Sequence, residues 1–356
     1  MKAEFQKIGI GMSGGVDSSV SALLLKNAGY DVVGITMLLK PERILSETER
    51  KNRNHEAEDA RLVCEKLGIL HLTPDFSEVF EEKVISYFTE AYFSGKTPNP
   101  CLMCNKHLKF GSMLDFALQN GCDAVATGHY AKVEQREDGR YLLLQADSRK
   151  DQSYFLYSLN QYQLGHILFP LNIKEKTEAR ALAAEYGLPV ANKPDSQEIC
   201  FVQNRDYIRF IETYARKRAP KGRFVNEDGQ FLGEHGGIYR YTIGQRKGFG
   251  ISFGEPMFVT AMDAVTNTVT LGREGSQYSN TLIAGDTNFI PFDTLEESMK
   301  ITAKVRYQAK PAAATLTPLQ DGTVFVEFEE PQRSVTPGQA VVFYSRNLVM
   351  GGGIIR

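Results

Sequence analysis

The chain has 356 residues, of which 42% are hydrophobic and 24% charged, and its formal net charge is −2. This length predicts two or three domains, and the near-neutral balance excludes a uniformly basic nucleic-acid-binding chain. The longest apolar run near the start, residues 32–39, is far shorter than the ~20 residues of a membrane helix, so we expect a cytoplasmic protein without signal peptide or membrane contact. Five cysteines, an odd number, favour thiol chemistry in a reducing compartment over structural disulfides.

The first predicted elements are a strand, a glycine loop and a helix. Apolar residues 8–10 precede the loop at residues 11–18, and the apolar run that follows has the composition of a helix. Paired glycines let a backbone approach a ligand closely, and the N–H groups at a helix start attract anions. The loop lacks the Gly-Lys-Ser/Thr of a Walker loop and the full dinucleotide glycine pattern. It therefore predicts a different phosphate site, formed by Gly11, Met12, Ser13, Gly14, Gly15, Val16, Asp17 and Ser18.

Strand-like and helical patterns alternate through the first 200 residues. The predicted strands cover residues 7–12, 31–38, 70–76 and 123–129, and the clearest helices cover residues 18–28 and 55–67. Such alternation predicts an α/β domain with a mostly parallel sheet covered by helices. Ligands of these sheets bind beyond the carboxyl ends of the strands, where the glycine loop lies. Asp17 is expected there to hold Mg²⁺ beside the departing pyrophosphate or to cap the helix.

The cysteines divide into structural and chemical candidates. Cys64 is predicted to be a buried small hydrophobe on a helix face, and Cys122 opens a predicted strand. Cys101 and Cys104 follow two prolines that predict an extended loop, and nearby lysines (Lys106, Lys109) would stabilise a thiolate there. Cys200 ends a turn predicted at residues 194–196. Taken alone, the Cys101–Cys104 pair also fits a redox dithiol or half of a zinc site.

The pattern of the sequence changes after residue 200. A helix predicted at residues 206–218 is basic: residues 205–223 carry seven cationic side chains against two acidic ones, an excess of five charges (7 − 2). Such localised charge is what phosphate binding requires. Aromatic residues interleave with the cations and fit either base stacking or core packing (Tyr207, Phe210, Tyr214). Short alternating segments follow, with a hairpin signal at Asp321-Gly322, and predict a small closed β structure at the C-terminus.

The loop resembles that of the PP-loop ATP pyrophosphatases, and this resemblance implies adenylation of a substrate. Together with the loop cysteines, adenylation indicates a particular chemistry. A carbonyl oxygen is a poor leaving group, and transfer of AMP to it creates a good one. A thiolate or a persulfide then attacks well near neutral pH, and a second cysteine resolves the persulfide as a disulfide. The residues therefore predict sulfur transfer to an activated carbonyl.

Several motifs in order carry a resemblance over nearly the whole chain. The loop matches the Ser-Gly-Gly-x-Asp-Ser pattern of PP-loop ATP pyrophosphatases, and the chain as a whole is similar to the tRNA-specific 2-thiouridylase family. The further motifs are Asn99-Pro100, Cys104-Asn105-Lys106, Ala126-Thr127-Gly128-His129-Tyr130, Lys150-Asp151-Gln152-Ser153-Tyr154, Ile199-Cys200-Phe201, Tyr241-Thr242-Ile243-Gly244-Gln245-Arg246-Lys247-Gly248, Val305-Arg306-Tyr307 and Pro337-Gly338-Gln339-Ala340.

The resemblance implies ATP-dependent 2-thiolation of the wobble uridine of tRNA, with a sulfur-relay protein or a cysteine desulfurase as sulfur donor. It implies a PP-loop domain at residues 1–203, a small mixed tRNA-binding domain at 204–277 and a β-barrel at 278–356. Cys200 would carry the persulfide, and Cys104 would be its nucleophilic and disulfide-forming partner. Residues 11–18, Met37 and Gly128 would bind ATP. The tRNA contacts would be Asn99, Pro100, Cys101, His129, Lys150, Asp151, Gln152, Arg306, Tyr307 and Gln339.

One position departs from the pattern expected for that family. Cys101 stands where an Asp is expected, which leaves the role of that carboxylate unassigned and creates a third thiol. An iron–sulfur cluster on Cys101, Cys104 and Cys200 is therefore an alternative to the persulfide route. Three further functions stay open: an amide-forming PP-loop ligase such as an NAD or GMP synthetase, a non-catalytic nucleotide- or RNA-binding module, and a dithiol oxidoreductase.

Overall fold

The computed structural model describes residues 5–45, 47, 55–172, 174–194 and 199–356. The α-helices are α1 (Val16–Asn27), α2 (His55–Leu67), α3 (Ser77–Phe80), α4 (Tyr87–Phe93), α5 (Pro100–Met103), α6 (Met113–Gln119), α7 (Gln161–Gly165), α8 (Lys176–Glu185) and α9 (Tyr207–Ala215). Two π-helical stretches cover Glu81–Ser86 and Cys104–Ser112, and 3₁₀ turns cover Glu42–Ile44, Ser153–Leu156, Gln203–Arg205 and Ile238–Arg240. Within the described ranges, every helix is too short or too polar to cross a membrane.

The strands fall into an N-terminal and a C-terminal set. The first set is β1 (Lys7–Gly11), β2 (Asp31–Ile35), β3 (Leu70–Leu72), β4 (Ala124–Ala126), β5 (Ala131–Gln135), β6 (Tyr141–Gln145) and β7 (Ile167–Leu168). The second is β8 (Gly222–Asn226), β9 (Phe231–His235), β10 (Phe258–Asp263), β11 (Thr268–Gly272), β12 (Tyr278–Phe289), β13 (Met299–Lys304), β14 (Ala312–Pro318), β15 (Val324–Arg333), β16 (Ala340–Ser345) and β17 (Leu348–Ile355).

The chain forms two compact units, each assembled from separate segments. The first comprises the described residues within Met1–Val84, Cys101–Glu198 and Asn347–Met350. The second comprises Ile85–Pro100, Ile199–Arg346 and Gly351–Arg356.

The first unit is built on a parallel sheet in the order β3-β2-β1-β4-β7. Alternation along β1 explains how both sheet faces are covered. Ile8 and Ile10 are fully buried in a cluster with α1, α2 and α8. On the opposite face, Gly9 lets α6 pack closely against the sheet. A Cβ at Gly9 would lie only 3.0 Å from the Cβ of Ala117 in α6. The predicted α/β fold with a parallel sheet is confirmed, although β2, β3 and β4 are shorter than predicted.

The second unit contains two β structures. The smaller is a four-stranded sheet in the order β10-β11-β8-β9 with its own core around Phe224 and Val259. The larger is a barrel: β12 pairs with β15 at one edge and with β17 at the other, which closes the order β12-β15-β14-β13-β16-β17. The hairpin predicted at Asp321-Gly322 joins β14 to β15, with Gly322 at φ +79°. The predicted C-terminal β-barrel is confirmed.

Aromatic packing ties α4 to the segment around α9 within the second unit. Phe88 lies 5.3 Å from Phe201 between ring centroids, and Tyr92 stacks on Tyr207 at 4.7 Å. The hydroxyl of Ser86 lies 3.0 Å from that of Tyr214. Residues 85–100 thus belong structurally with a part of the chain more than 100 residues later.

Candidate functional site

The glycine loop lies where three parallel strands end. Gly11, the last residue of β1, is paired with Ile35 of β2, and Ile10 is paired with Ala126 of β4. Met37 follows β2 and Gly128 follows β4, so the predicted ATP residues converge at one edge of the sheet. This edge is the place where α/β sheets bind ligands.

Serine hydroxyls hold the loop in shape. Ser18 accepts a hydrogen bond from the N–H of Ser13 at 3.3 Å and donates to the carbonyl of Gly15 at 3.1 Å. Ser19 donates to the same carbonyl at 2.8 Å. Gly14 has a φ of +67°, a conformation that glycine adopts without a steric penalty. The loop is therefore fixed before a ligand arrives, which reduces the entropic cost of binding.

The absence of a side chain at Gly128 allows the loop backbone to lie close to it. A Cβ at this position would lie 2.8 Å from the carbonyl carbon of Asp17 and 2.8 Å from the nitrogen of Ser18. Both are backbone atoms at the start of α1, so neither can move aside cheaply. The residue type at Gly128 is thus required by the position of the loop.

Asp17 is held by two side chains that sequence reasoning did not assign. Lys176, at the start of α8, places its ammonium 2.7 Å from each carboxylate oxygen of Asp17. The phenol of Tyr130 donates a hydrogen bond to Oδ1 of the same carboxylate at 2.9 Å. The side chain of Lys176 is only 13% exposed, so this charge pair is weakly screened by solvent. No local signal relates residues 159 positions apart, which is why the pair escaped prediction.

The prediction that Asp17 holds Mg²⁺ has to be weighed against these contacts. Both oxygens of the carboxylate already face donors, and the described residues contain no group of three or more His, Cys, Asp or Glu side chains placed to hold a metal. Mg²⁺ in nucleotide sites is usually held by one or two carboxylates together with substrate phosphates, so the role of Asp17 in Mg²⁺ binding stays a prediction.

Cys101 and Cys104 lie on helical backbone, and the predicted extended loop at these two residues is wrong. Pro100 occupies the first turn of α5, where the missing N–H of proline costs nothing. Cys101 is exposed on α5, and the partly exposed Cys104 begins a nine-residue π-helical stretch. Residues 97–99 have no regular structure, as the prolines predicted for the segment that enters the pair, but Pro100 starts a helix.

The π-helical stretch is held by two buried amides. Gln163 donates hydrogen bonds to the carbonyls of Lys106 at 3.1 Å and Phe110 at 2.7 Å. Asn105, which is 1% exposed, donates to the carbonyl of Phe155 at 3.0 Å. Wide helical turns of this kind are rare and occur frequently at functional sites.

Lys109 and His129 lie in the same unit as Cys104. Burial raises the pKa of the Cys104 thiol, and the positive charge of Lys109 acts against that rise. Burial, together with Lys109, lowers the pKa of His129 well below its usual value, so its imidazole is neutral. The ammonium of Lys109 lies 3.5 Å from Nε2 of His129, and Oγ1 of Thr127 lies 2.6 Å from Nδ1. This arrangement places the imidazole proton on Nδ1, because Nε2 faces a donor.

Residues 150–152 connect to the nucleotide loop through Tyr130. The backbone N–H of Gln152 donates to the carbonyl of Tyr130 at 2.7 Å, and the side-chain oxygen of Gln152 accepts from the N–H of Tyr130 at 3.1 Å. The carboxylate of Asp151 accepts from the N–H of Ala146 and the hydroxyl of Ser153. Asp151 thus shapes the turn, and Lys150 beside it is exposed.

Cys200 belongs to the second unit and is exposed. Its neighbour Phe201 is buried against Phe88 and Phe210, so the exposed thiol stands next to an anchored residue. Most of the turn predicted before it, including Asp195 and Ser196, lies outside the described residues.

The predicted basic segment is exposed, and its aromatic residues are not. All seven cationic side chains are exposed, namely Arg205, Arg209, Arg216, Lys217, Arg218, Lys221 and Arg223. The three aromatic residues of α9 instead pack within the second unit: Tyr207 on Tyr92, and Phe210 between Phe201 and Tyr214. These ring contacts support the core-packing interpretation of the three partly buried aromatic residues.

The remaining predicted tRNA residues also lie in the second unit. Gln339 donates to the carbonyl of Thr97 at 2.9 Å, close along the chain to the partly exposed Asn99 and the buried Pro100. Arg306 donates to the carbonyl of Arg333 at 2.9 Å, and Lys304 lies over the ring of Tyr307 at 5.5 Å.

A parallel sheet that presents a Ser-Gly-Gly-x-Asp-Ser loop at its carboxyl edge defines a nucleotide-using α/β enzyme of the PP-loop class. Family models match almost the whole chain: the tRNA methyl transferase HUP domain at residues 6–204, the tRNA methyl transferase PRC-barrel domain at 208–273 and the aminomethyltransferase beta-barrel domain at 279–355. The chain is 51% identical over 353 residues to the tRNA-specific 2-thiouridylase MnmA of Clostridioides difficile (strain 630) and 52% identical over 353 residues to that of Clostridium beijerinckii. Each alignment covers 98% of both chains. The chain belongs to the tRNA-specific 2-thiouridylase (MnmA) family.

Proposed function

We propose that the protein uses ATP to replace the 2-oxygen of the wobble uridine of tRNA by sulfur. In the first step the carbonyl oxygen at C2 attacks the α-phosphorus of ATP, the bond to the β-phosphate oxygen breaks, and pyrophosphate leaves. The nucleotide loop supports this step, since the N–H groups and dipole at the start of α1 favour a bound polyphosphate. The C2 oxygen is thereby converted into part of a good leaving group, AMP.

The second step transfers the sulfur. A persulfide on Cys200 attacks C2 through its terminal sulfur, and AMP departs with the former carbonyl oxygen. The thiolate of Cys104 then attacks the Cys200 sulfur, which forms a Cys104–Cys200 disulfide and leaves the terminal sulfur on C2 as the thiocarbonyl. Two electrons from a thiol reductant return the disulfide to two thiols before the next turnover.

The environments of the two cysteines support this division of roles. Cys200 is exposed, which suits a residue that must receive sulfur from a sulfur-relay protein or a cysteine desulfurase. Cys104 is partly exposed, and the charge of Lys109 favours its thiolate against the effect of burial. The two thiols complete the sulfur transfer without an iron–sulfur cluster, so no step is assigned to one.

We further propose that the exposed cations of residues 205–223 bind tRNA phosphates, and that His129, Lys150, Arg306, Tyr307 and Gln339 contact the same RNA. The single observation that carries the proposal is the full-length similarity to 2-thiouridylases. The loop geometry at Asp17 supports it. The domain limits 1–203, 204–277 and 278–356 are proposed on the same basis.

The test is nucleoside mass analysis of undermodified tRNA after incubation with ATP and a sulfur source. The wild type is expected to yield 2-thiouridine, and Cys200→Ser and Cys104→Ser to yield none. Cys122→Ser, a buried thiol on the first unit, is the matched control and should retain product if its melting temperature is unchanged. Pyrophosphate release with tRNA should persist in Cys200→Ser, because activation precedes sulfur transfer. Formation of 2-thiouridine by a variant lacking both Cys104 and Cys200 would overturn the roles assigned to these two thiols.

A further inference from the structure

A second lysine reaches the nucleotide loop. The ammonium of Lys193 donates a hydrogen bond to the carbonyl of Gly14 at 2.9 Å and lies 2.7 Å from Oδ2 of Asp59. Gly14 is in the middle of the loop, immediately before the start of α1. The charge of Lys193 is therefore held beside the nucleotide loop.

The backbone around Lys193 is fixed. The guanidinium of Arg180, on α8, donates to the carbonyl of Lys193 at 3.0 Å, and the N–H of Lys193 donates to the carbonyl of Val190 at 2.9 Å. The same helix carries Lys176 at its start. One helix and the turn after it thus position two ammonium groups at the loop.

The two lysines differ in how many contacts their ammonium groups make within the protein and in how exposed their side chains are. Lys176 contacts both oxygens of Asp17 and is 13% exposed, so its charge is used within the protein. Lys193 contacts one oxygen of Asp59, and its side chain is 38% exposed. A half-exposed ion pair contributes little stability, and its ammonium can exchange one carboxylate oxygen for a more highly charged phosphate.

We propose that Lys193 binds the polyphosphate end of ATP, leaving Asp59 when the nucleotide arrives, and stays with pyrophosphate as it departs. The ammonium keeps its contact with Gly14 and turns its remaining protons to the β- and γ-phosphate oxygens. Lys193 would offset the negative charge that develops on the leaving pyrophosphate. Asp59 acts as a competitor that keeps the ammonium in place in the absence of nucleotide. This inference rests on the proposed use of ATP.

The test compares two nucleotides by calorimetry: α,β-methylene-ATP, which carries the polyphosphate, and AMP, which lacks it. Lys193→Gln removes the charge and keeps an N–H donor, on a side chain that is one atom shorter. It should bind α,β-methylene-ATP about 10- to 100-fold more weakly than the wild type and bind AMP equally well, because a charge-assisted hydrogen bond is lost only with the former. Lys193→Arg should recover part of the loss.

Two further variants separate ligand binding from a structural ion pair. Asp59→Asn removes the competitor and should bind α,β-methylene-ATP as tightly as the wild type or tighter. If Lys193 and Asp59 form only a structural pair, Asp59→Asn and Lys193→Gln will have equal effects on both nucleotides, and the proposal is wrong. Lys132→Ala is the matched control: Lys132 is 37% exposed and lies 2.6 Å from Glu134. It should change neither affinity.

The controls also separate this inference from the proposed function. A wild type that binds neither nucleotide contradicts the use of ATP itself. A wild type that binds α,β-methylene-ATP while Lys193→Gln binds it equally well contradicts only the role of Lys193. Should Lys193→Gln fold poorly, Lys193→Met, which also removes the charge, allows the same comparison, provided that its AMP binding and melting temperature are those of the wild type.

Discussion

Gly128 and Asp17 are in backbone contact: the space that a side chain at Gly128 would need is filled by the carbonyl carbon of Asp17, 2.8 Å from the position of a Cβ. Gly128→Ala should therefore push the start of α1 away and weaken nucleotide binding at least about tenfold, with a loss of about 1–3 kcal/mol in stability from overpacking. Nucleotide titration and thermal melting measure both effects.

The control for that substitution is Gly236→Ala. A Cβ at Gly236 would lie 3.5 Å from the nearest atom, Nε of Arg240, which is an ordinary contact. This variant should keep the nucleotide affinity of the wild type. Equal behaviour of the two alanine variants would show that the contact between Gly128 and Asp17 does not shape the loop.

Lys176→Ala should leave the Asp17 carboxylate without its cation at a phosphate site. The uncompensated negative charge repels ATP, so we expect a loss in affinity of about tenfold or more. In an Asp17→Asn background the same Lys176→Ala change should cost much less, because the two residues act as a pair. A double-mutant cycle on nucleotide affinity measures this coupling, and strictly additive losses would contradict it.

The five thiols should differ sharply in reactivity. Burial raises the pKa of Cys64 to about 12, and desolvation also raises the pKa values of Cys122 and Cys101. The four thiols differ in access to a reagent: Cys64 and Cys122 are buried, and Cys101 and Cys200 are exposed. Brief alkylation of the native protein at neutral pH should modify Cys101 and Cys200 and spare Cys64 and Cys122. Peptide mass mapping reads the sites, and denatured protein labelled at all five positions is the control. Early labelling of Cys64 would show that the helix α2 opens readily.

His129 should make the protein sensitive to acid. Its pKa is lowered in the folded state, so below the ordinary histidine pKa of about 6.5 the unfolded chain takes up a proton that the folded chain does not. Stability is therefore retained above that pH and lost as the pH falls towards the folded-state pKa, by at most about 1.4 kcal/mol per pH unit for one histidine.

His129→Asn should reduce the dependence of the unfolding free energy on pH by the contribution of about one proton. The remaining dependence should come from His71, His107 and His235, whose pKa values burial also lowers. Urea unfolding at about pH 7 and about pH 5.5, at constant ionic strength, measures the difference. A variant with the slope of the wild type would mean that His129 is protonated in the folded protein.

Gln163→Ala should destabilise the π-helical stretch that follows Cys104. It removes the donor from two main-chain carbonyls, Lys106 and Phe110, and the loss at the buried carbonyl of Phe110 alone costs about 1–3 kcal/mol. Hydrogen exchange over residues 104–112 should rise together with a lower melting temperature. Gln135→Ala, which removes an exposed bond to Gly139, should stay within about 0.5 kcal/mol of the wild type.

Local chemistry made part of this architecture predictable. The strand, loop and helix around Gly14 follow from glycine and serine placement over a few residues, and the alternation in the last third predicts the barrel through Gly322 and its neighbours. Cys101 shows the limit of such reasoning: two prolines indicate a break in the chain, but neighbouring residues do not reveal that Pro100 begins a helix.

Contacts between residues far apart in the sequence could not be predicted. Lys176 and Lys193 lie 159 and 179 residues from the loop residues that they contact, and lysine side chains are ordinarily solvated. The π-helical turns also escaped prediction, because the amide that stabilises them belongs to Gln163 on another helix. Only the folded chain relates these residues.

The segmented make-up of the two units limits how the enzyme can be dissected. A fragment ending at residue 203 would retain Phe88 and Tyr92 but lack Tyr207 and Phe210, on which those rings pack, and would lose the strand residues at 347–350. Exposed aromatic surface of this kind promotes aggregation. Attempts to express the N-terminal portion alone should therefore give insoluble material, and complementary fragments should be recovered only when both are produced together.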